Sequence, residues 1–181
     1  INLHHPVANC LDYAQLLQEK YRLIECNVVP AFSEESTLDS VSFGCYQLMA
    51  RYLQDDKEKI IGLGSGLTLK KALQRIDFDS LNTRCVALIS AMNADGQCNY
   101  YDDVPLLLTR KIKAKYYQWP APRYAQSADE YEMWCTNRLF RSVSGVAREA
   151  DVIFVGIGPL GTQSPIFKDG FINQAQMDEL T

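Results

Sequence analysis

An apolar run that breaks into alternating glycines occupies residues 60–70, which read Ile60-Ile61-Gly62-Leu63-Gly64-Ser65-Gly66-Leu67-Thr68-Leu69-Lys70. The apolar run predicts a buried strand, and helical spacing follows from Thr68 to Ile76. Glycines between the two let the backbone turn sharply and bring its N–H groups close to a ligand. The helix N-terminus points unpaired donors and the positive end of its dipole at the same place. The pattern therefore predicts an anion-binding loop, to which Ser65 and Thr68 add hydroxyl groups.

The glycine spacing discriminates between kinds of anion site. The loop reads G-x-G-x-G and not the G-x-G-x-x-G of dinucleotide-binding folds, and no Gly-Lys-Ser/Thr follows as in a Walker A loop. The next predicted strand ends in Ser90, Ala91 and Met92, where a dinucleotide site needs an acidic residue for the ribose hydroxyls. A nucleotide is therefore disfavoured, while a phosphorylated small molecule and a tight turn without a ligand both stay open.

A second glycine loop follows the apolar stretch 151–158 (DVIFVGIG) and contains Gly156, Gly158 and Gly161. The stretch predicts a strongly buried strand, so this loop lies at the carboxyl edge of the predicted sheet. Ligands of open α/β sheets bind at that edge, where loops of neighbouring strands converge. Two such loops on one sheet favour a bound small molecule more than either loop alone.

Predicted helices and strands alternate along the whole chain. The helices cover 10–21 with Asn9 as cap, 39–52, 68–76, 104–112, and 128–149 with a break at 142–145. The strands cover 26–29, 59–63, 84–91, 116–119 and 151–158. Continuous apolar strands indicate burial on both faces, as in a parallel sheet covered by helices. Since no linker or repeat divides residues 1–181, we expect one α/β domain with a doubly wound, mostly parallel, Rossmann-like sheet.

Composition and charge exclude several classes of protein. With 47% hydrophobic and 22% charged residues among 181, the chain is neither collagen-like nor disordered. No apolar run reaches the ~18 residues of a membrane span, so we expect a soluble protein without a membrane partner. A net charge of −4 argues against DNA binding by these residues alone. The basic cluster Arg110, Lys111, Lys113 and Lys115 is typical of a solvated helix C-terminus.

Residue types that carry catalysis or bind metals are sparse. The six cysteines include no CxxC pair, which predicts reduced, buried thiols in a cytoplasmic protein, with neither disulfides nor a zinc site. The two histidines, His4 and His5, stand next to Pro6 near the start of the chain. Asp102 and Asp103 precede a predicted helix, where capping is the ordinary role of such residues. We therefore expect no catalytic residues, no metal and no cofactor.

The two glycine loops resemble those of the effector-binding domain of the sorbose-operon-regulator (SorC) family of bacterial transcription factors. Residues 61–69 are similar to the glycine–threonine phosphate loop of that family. Residues 149–158, continuing to Ser164-Pro165 and Gly170, are similar to its Ala-Asp strand that ends in Gly-Ile-Gly. The helix that begins with Cys10-Leu11-Asp12 resembles, more weakly, the segment that leaves the DNA-binding region.

The resemblance implies a fold similar to ribose-5-phosphate isomerase and glucosamine-6-phosphate deaminase, in a domain that binds a phosphorylated sugar without converting it. It also implies a dimer or tetramer, and operator DNA bound through a helix-turn-helix that precedes this domain. By position, Gly66, Leu67 and Thr68, together with Gly64 and Ser65, would hold the phosphate. Residues after the next strand, from Met92 and Asn93 to Asp102, would line the sugar with Gly158.

The sequence departs from the family in two places. Ser65 stands where members often carry a bulky residue, and the family continues with further strands beyond the predicted helix at 177–181. We therefore expect residues 1–181 to be part of a regulator whose ligand site is completed elsewhere. Two alternatives stay open: an isomerase- or deaminase-like enzyme acting on sugar phosphates, and an oligomerisation module with a vestigial pocket.

Overall fold

The structure, a computed structural model, describes residues 6–55, 57–92, 96–98 and 103–180. Four strands are β1 (Lys59–Leu63), β2 (Thr83–Ala87), β3 (Lys115–Tyr117) and β4 (Val152–Phe154). Eight helices are α1 (Pro6–Tyr21), α2 (Glu34–Leu53), α3 (Leu67–Gln74), α4 (Val104–Ile112), α5 (Ala128–Thr136), α6 (Arg138–Arg148), α7 (Pro165–Lys168) and α8 (Gln174–Leu180). Both counts refer to the described residues.

The four strands form one parallel sheet in the order β3-β2-β1-β4. The chain winds outward from β1 to β3 and then returns to the other side of β1 for β4. The winding direction therefore reverses between β1 and β4, which is the topological switch point of a doubly wound sheet. The predicted fold class is confirmed.

Apolar side chains cover the sheet on both faces. One cluster joins α2, α3 and α4 to the strands, and its largest fully buried members include Met49, Leu53, Ile61, Leu63, Leu73, Leu108 and Ile112. The opposite cluster is smaller and packs Val143 of α6 against Ile60 and Val86, with Trp119 beside them. Both faces of β1 are therefore buried, as the continuous apolar run predicts.

The last strand differs most from its prediction. β4 spans only Val152–Phe154, where the apolar run predicts a buried strand over 151–158. Ile153 is 51% and Val155 is 62% exposed, because α6 covers this face of the sheet mainly at β1 and β2, whereas β4 forms the edge. The prediction of burial on both faces is wrong for this strand.

Two predicted element boundaries near the start of the chain are also wrong. Residues 26–29 form no strand and belong to the connection before α2. The Val29 side chain of this connection packs near Gly44 of α2. α2 begins after Ser33 and not near Asp39, because the Ser33 and Ser36 hydroxyls each accept the other residue's backbone N–H in a capping box. Asn9 lies inside α1 and does not cap it.

Two predicted boundaries later in the chain are also wrong, and one predicted helix cap is confirmed. The helical stretch after Ala128 breaks at Asn137 and not at 142–145, since the Asn137 side chain accepts from the backbone N–H groups of Leu139 and Phe140 and caps α6. β2 ends at Ala87, short of the predicted residue 91. The predicted cap of α4 is confirmed for Asp103, whose carboxylate accepts from the Leu106 N–H at 3.0 Å.

Two lysines of the basic cluster make polar contacts, one with the end of α3 and one with Asp79. Lys111 Nζ donates to the carbonyl oxygens of Gln74 and Ile76 at the end of α3, at 2.8 and 3.0 Å, and Lys113 pairs with Asp79. All six cysteines are free thiols; only Cys85 is buried, so the prediction of buried thiols is wrong for the other five, which are half-buried. None of the described helices combines the length and apolarity needed to cross a membrane.

Candidate functional site

The loop between β1 and α3 has the backbone geometry of an anion-binding turn. Gly66 precedes the first residue of α3 with φ +134° and ψ 155°, a conformation open to glycine and strained for any other residue. A Cβ atom built on Gly66 meets no heavy atom within 4 Å, so the space above the first turn of α3 is open. The first turn of α3, whose N–H groups have no partner within the helix, therefore adjoins a space that a ligand can occupy.

The two glycine loops contact each other at the switch point of the sheet. The Gly64 N–H donates to the Phe154 carbonyl oxygen at 2.9 Å. A Cβ atom on Gly156 would lie 3.4 Å from the Ser65 carbonyl oxygen, so the loops pass close together. The prediction that the loops converge at the carboxyl edge of the sheet is confirmed.

A cavity of about 280 Å³ opens beside the first loop. Its lining combines the start of α3 with the chain after β2, the start of α4, the chain after β3 and the chain around α7. The lining residues are Ser65, Gly66, Leu67, Lys70, Ala91, Val104, Arg123, Pro165, Lys168, Asp169 and Phe171. Five separate segments of the chain thus build one site at the edge where ligands of such sheets bind.

Positive charge dominates this lining. Lys70, Arg123 and Lys168 are cationic and Asp169 is the one carboxylate among the described lining residues, which leaves an excess of two positive charges. The Arg123 guanidinium is held at 3.6 Å above the Phe171 ring, and its Nε donates to the Ser90 carbonyl oxygen at 2.8 Å. Together with the α3 N-terminus, this charge makes the cavity attractive to an anion.

The wall contributed by α4 is fixed by a buried carboxylate. Asp103 is 7% exposed, and both its carboxylate oxygens lie 3.2 Å from the Tyr116 hydroxyl of β3. Burial, followed by the neighbouring Asp103 charge and hydrogen bond, raises the pKa of Tyr116, so its hydroxyl remains a proton donor. This bond holds the start of α4, and with it Val104, against the cavity.

The structure brings only some of the predicted site residues together. Ser65, Gly66 and Leu67 line the cavity; Gly64 is buried just behind them, and Thr68 is half-buried at the second position of α3. Gly158 is exposed and does not line this cavity.

Met92, a predicted sugar-side residue, lies apart from that group. Met92 lines a different cavity, formed with β3 and α6, although the adjacent Ala91 lines this one. Asn93 and Asp102 lie outside the described residues.

Several lining residues were not predicted as site residues. Lys70 carried a usable signal, because it stands one helical turn after Gly66 and therefore on the same face of α3. Arg123, Lys168 and Phe171 carry no local signal, since only the fold brings them to the edge of the sheet. In the described part of the chain no group of three or more His, Cys, Asp or Glu side chains could hold a metal ion. His4 and His5 lie outside that part.

A family profile described as "Putative sugar-binding domain" matches residues 5–181. The chain is 25% identical over 184 residues to the "Erythritol catabolism regulatory protein EryD" of Brucella abortus (strain 2308). That alignment covers 99% of this chain and 57% of the relative, so the chain spans a little over half of the length of this curated relative.

Solved structures share the fold. A DeoR family transcriptional regulator from Listeria monocytogenes superposes with a TM-score of 0.79 at 22% identity, covering 95% of this chain and 68% of that one. The full-length sorbitol operon regulator SorC from Klebsiella pneumoniae gives 0.76 at 19% identity, covering 99% and 59%. This chain therefore shares its fold with the matched parts of these two regulators.

Proposed function

This chain belongs to the family described as "Putative sugar-binding domain", and from that premise we propose that its carboxyl-edge cavity binds a small phosphorylated sugar. In the full-length protein this binding regulates transcription of a carbohydrate operon. The family match and the shared fold support the SorC-family resemblance of the two glycine loops.

The conformation of Gly66 is the observation that carries this proposal. Its positive φ turns the chain into α3 while leaving open space where a side chain would stand, and that space borders the cavity. A phosphate there accepts hydrogen bonds from the N–H groups of the first turn of α3 and from the hydroxyls of Ser65 and Thr68. Lys70, one turn further along α3, supplies a compensating positive charge.

The charge and size of the cavity favour one phosphate on a small sugar. A phosphate monoester carries about −1.5 to −2 charges at neutral pH, and Lys70, Arg123 and Lys168 contribute cationic groups to the lining. The volume of about 280 Å³ lies just below the roughly 300–1,000 Å³ of ordinary ligand pockets. A sugar phosphate suits this volume better than a nucleotide.

The sugar lies against the remaining walls of this cavity. Ala91, Val104 and Phe171 offer apolar surface to its C–H groups, while Asp169 accepts hydrogen bonds from its hydroxyls. Asn93 and Asp102 stand in the sequence between Ala91 and Val104, which both line the cavity. We therefore propose them as further polar contacts, with Met92 and Gly158 in outer positions.

Regulation follows from linkage between the ligand and the arrangement of subunits. A sugar phosphate that binds one quaternary arrangement more tightly shifts the population toward it, and thereby changes how the DNA-binding parts meet the operator. We place the full-length protein in the cytoplasm as a homo-oligomer with a sugar effector and operator DNA as partners. We also propose that this chain senses the sugar phosphate and does not convert it, since the relatives named above are regulators.

A thermal-unfolding screen tests the proposal. Phosphorylated tetroses, pentoses and hexoses are compared with the same sugars lacking phosphate, and with inorganic phosphate. A ligand at ~100 times its Kd stabilises the native state by about 2.7 kcal/mol, which in a chain of this size raises Tm by roughly 5–10 °C. Stabilisation by no sugar phosphate would contradict the proposal, and product formation from the bound sugar would favour the isomerase- or deaminase-like alternative.

A further inference from the structure

One wall of the cavity is a short segment, residues 164–172, that contains α7. Pro165, Lys168, Asp169 and Phe171 of this segment line the cavity. Its buried members are Ser164, at 2% exposure, Phe171, at 6%, and Ile172, at 4%, while Lys168 and Asp169 remain exposed. We call residues 164–172 the outer wall.

The backbone of the outer wall is hydrogen-bonded almost entirely to itself. Phe171 and Ile172 both donate to the Ile166 carbonyl oxygen, at 3.0 and 3.2 Å, and the Ser164 N–H donates to Gly161 just outside the wall. Among the described residues, no backbone hydrogen bond joins the wall to the sheet or to α3. These bonds give the wall its shape, but side-chain contacts must attach it to the body of the domain.

Arg123 supplies an attachment of this kind. Its backbone N–H donates to the Met92 carbonyl oxygen at 3.1 Å and its Nε donates to the Ser90 carbonyl oxygen at 2.8 Å, so it is bound to the chain that follows β2. On its other side the guanidinium lies 3.6 Å above the centre of the Phe171 ring. Removal from water strengthens a cation–π contact. Because Phe171 is buried and Arg123 is half-buried, this contact is partly removed from water.

We propose that Arg123 is a positioning residue that latches the outer wall, through Phe171, to the carboxyl end of β2, and that opening of this latch controls ligand entry and release. Local opening is expected where a segment has few tertiary bonds. Since Lys168 and Asp169 reach the ligand only when the wall is closed, a bound sugar phosphate shifts the wall toward the closed state. This second step rests on the proposed function, whereas the latch itself does not.

Hydrogen exchange of wall amides in the ligand-free protein tests the latch directly. Arg123→Met keeps the length of the side chain and removes the guanidinium; Phe171→Leu keeps apolar bulk and removes the ring. Each variant is expected to raise the opening constant of the wall by about 3- to 30-fold, the range of a partly desolvated cation–π contact. Arg141→Met, the same change on the exposed side of α6, serves as the matched control and should leave wall exchange unaltered.

A double-mutant cycle separates the latch from general loosening. If the two side chains act on each other, the Arg123→Met/Phe171→Leu protein opens about as readily as the single variant with the larger effect, and less readily than the sum of the two effects predicts. Additive effects, or wall exchange equal to that of the unaltered protein in both single variants, would overturn the latch. Exchange in α3 and β1 is followed in the same samples, to show that the fold is retained.

The ligand arm uses the sugar phosphate that gives the largest thermal shift. Its addition is expected to slow wall exchange at least tenfold in the unaltered protein, and both latch variants should release it faster. If no sugar phosphate binds, the proposed function fails while the exchange cycle still decides the latch. If a sugar phosphate binds without slowing wall exchange, the control of ligand entry by the wall is overturned and the proposed function stands.

Discussion

The Gly64 N–H donates a 2.9 Å hydrogen bond to the carbonyl oxygen of Phe154, and this bond joins the loop after β1 to the end of β4. From β1 the chain winds toward β3 on one side and returns to the other side of β1 for β4. The loops after β1 and β4 therefore border the crevice at the switch point. Gly64 is not among the glycines with a positive φ angle, so this bond does not depend on an unusual backbone conformation there. At Gly66, two residues later, φ is +134°.

Removing the hydroxyl of Thr68 is expected to weaken phosphate binding. If the hydroxyl donates to a dianionic phosphate, Thr68→Ala loses a charge-assisted hydrogen bond worth about 1.5–3 kcal/mol, which raises Kd roughly ten- to hundredfold. Titration calorimetry measures this, with Thr68→Ser as the control that keeps the hydroxyl. The unphosphorylated sugar should bind poorly to all three proteins, and equal affinity of Thr68→Ala and the unaltered protein would remove Thr68 from the phosphate site.

A side chain at position 66 is expected to destabilise the fold and to obstruct the anion site. The Gly66 Cβ position is open, so Gly66→Val suffers from its φ angle of +134° and not from a clash. Such strain costs about 1–3 kcal/mol, measured as a lower urea midpoint. Gly145→Ala in α6 is the matched control; its Cβ also meets nothing within 4 Å, and it should stabilise the protein by about 0.5–1 kcal/mol. Equal stability of the two variants would refute the strain.

Asp151 is expected to matter for pairing between β1 and β4. Its carboxylate accepts from the buried Ile60 N–H at 2.7 Å, and its own N–H donates to the Ile60 carbonyl at 2.9 Å. Asp151→Ala leaves that buried N–H without its acceptor, at a cost of about 1–3 kcal/mol. Asp151→Asn retains an acceptor oxygen and should lose less in urea unfolding; equal losses would indicate that the side-chain oxygen is not what stabilises the strand pair.

Lys111 is expected to stabilise the end of α3, although its neighbour Arg110 should not. Lys111 Nζ donates to the carbonyl oxygens of Gln74 and Ile76, which lie at and beyond the helix C-terminus. Lys111→Met loses both bonds and should lower the free energy of unfolding by about 1–2 kcal/mol. Arg110→Met, on the exposed side of α4, should change it by less than about 0.5 kcal/mol. Indistinguishable stabilities would leave Lys111 as a solvated charge.

Cys85 is expected to resist alkylation in the folded protein. Burial raises the pKa of its thiol to about 12, an effect that the hydrogen bond with Thr109 only partly offsets. The reactive thiolate is therefore about one in ten thousand at pH 8. Peptide mapping after iodoacetamide treatment should find Cys85 unlabelled until denaturant is added, whereas half-buried Cys135 is labelled in the folded protein. Labelling of Cys85 at the rate of Cys135 would show that β2 opens readily.

The order of elements could be predicted because each depends on local periodicity. The run from Ile60 to Leu63 is apolar at every side-chain position and is buried on both faces as predicted. The edge position of β4 could not be predicted in this way, because an apolar stretch such as 151–158 has the same pattern whether or not a neighbour pairs with its outer side. The helix starts at Ser33 and Asn137 could have been predicted from their capping side chains. The apolar spacing from Val41 places the first start near Asp39 instead, and the stretch 142–145 indicates a later break.

The sequence by itself determined the sharp turn after β1, since a positive φ at Gly66 and the start of α3 depend on neighbouring residues alone. Only the tertiary structure decided which side chains complete the site. Arg123 follows β3 and Lys168 follows β4, and both reach the cavity because parallel strands place the ends of successive connections at the same edge of the sheet. Local backbone preference is written in adjacent residues, whereas this meeting of distant cations depends on the path of the whole chain.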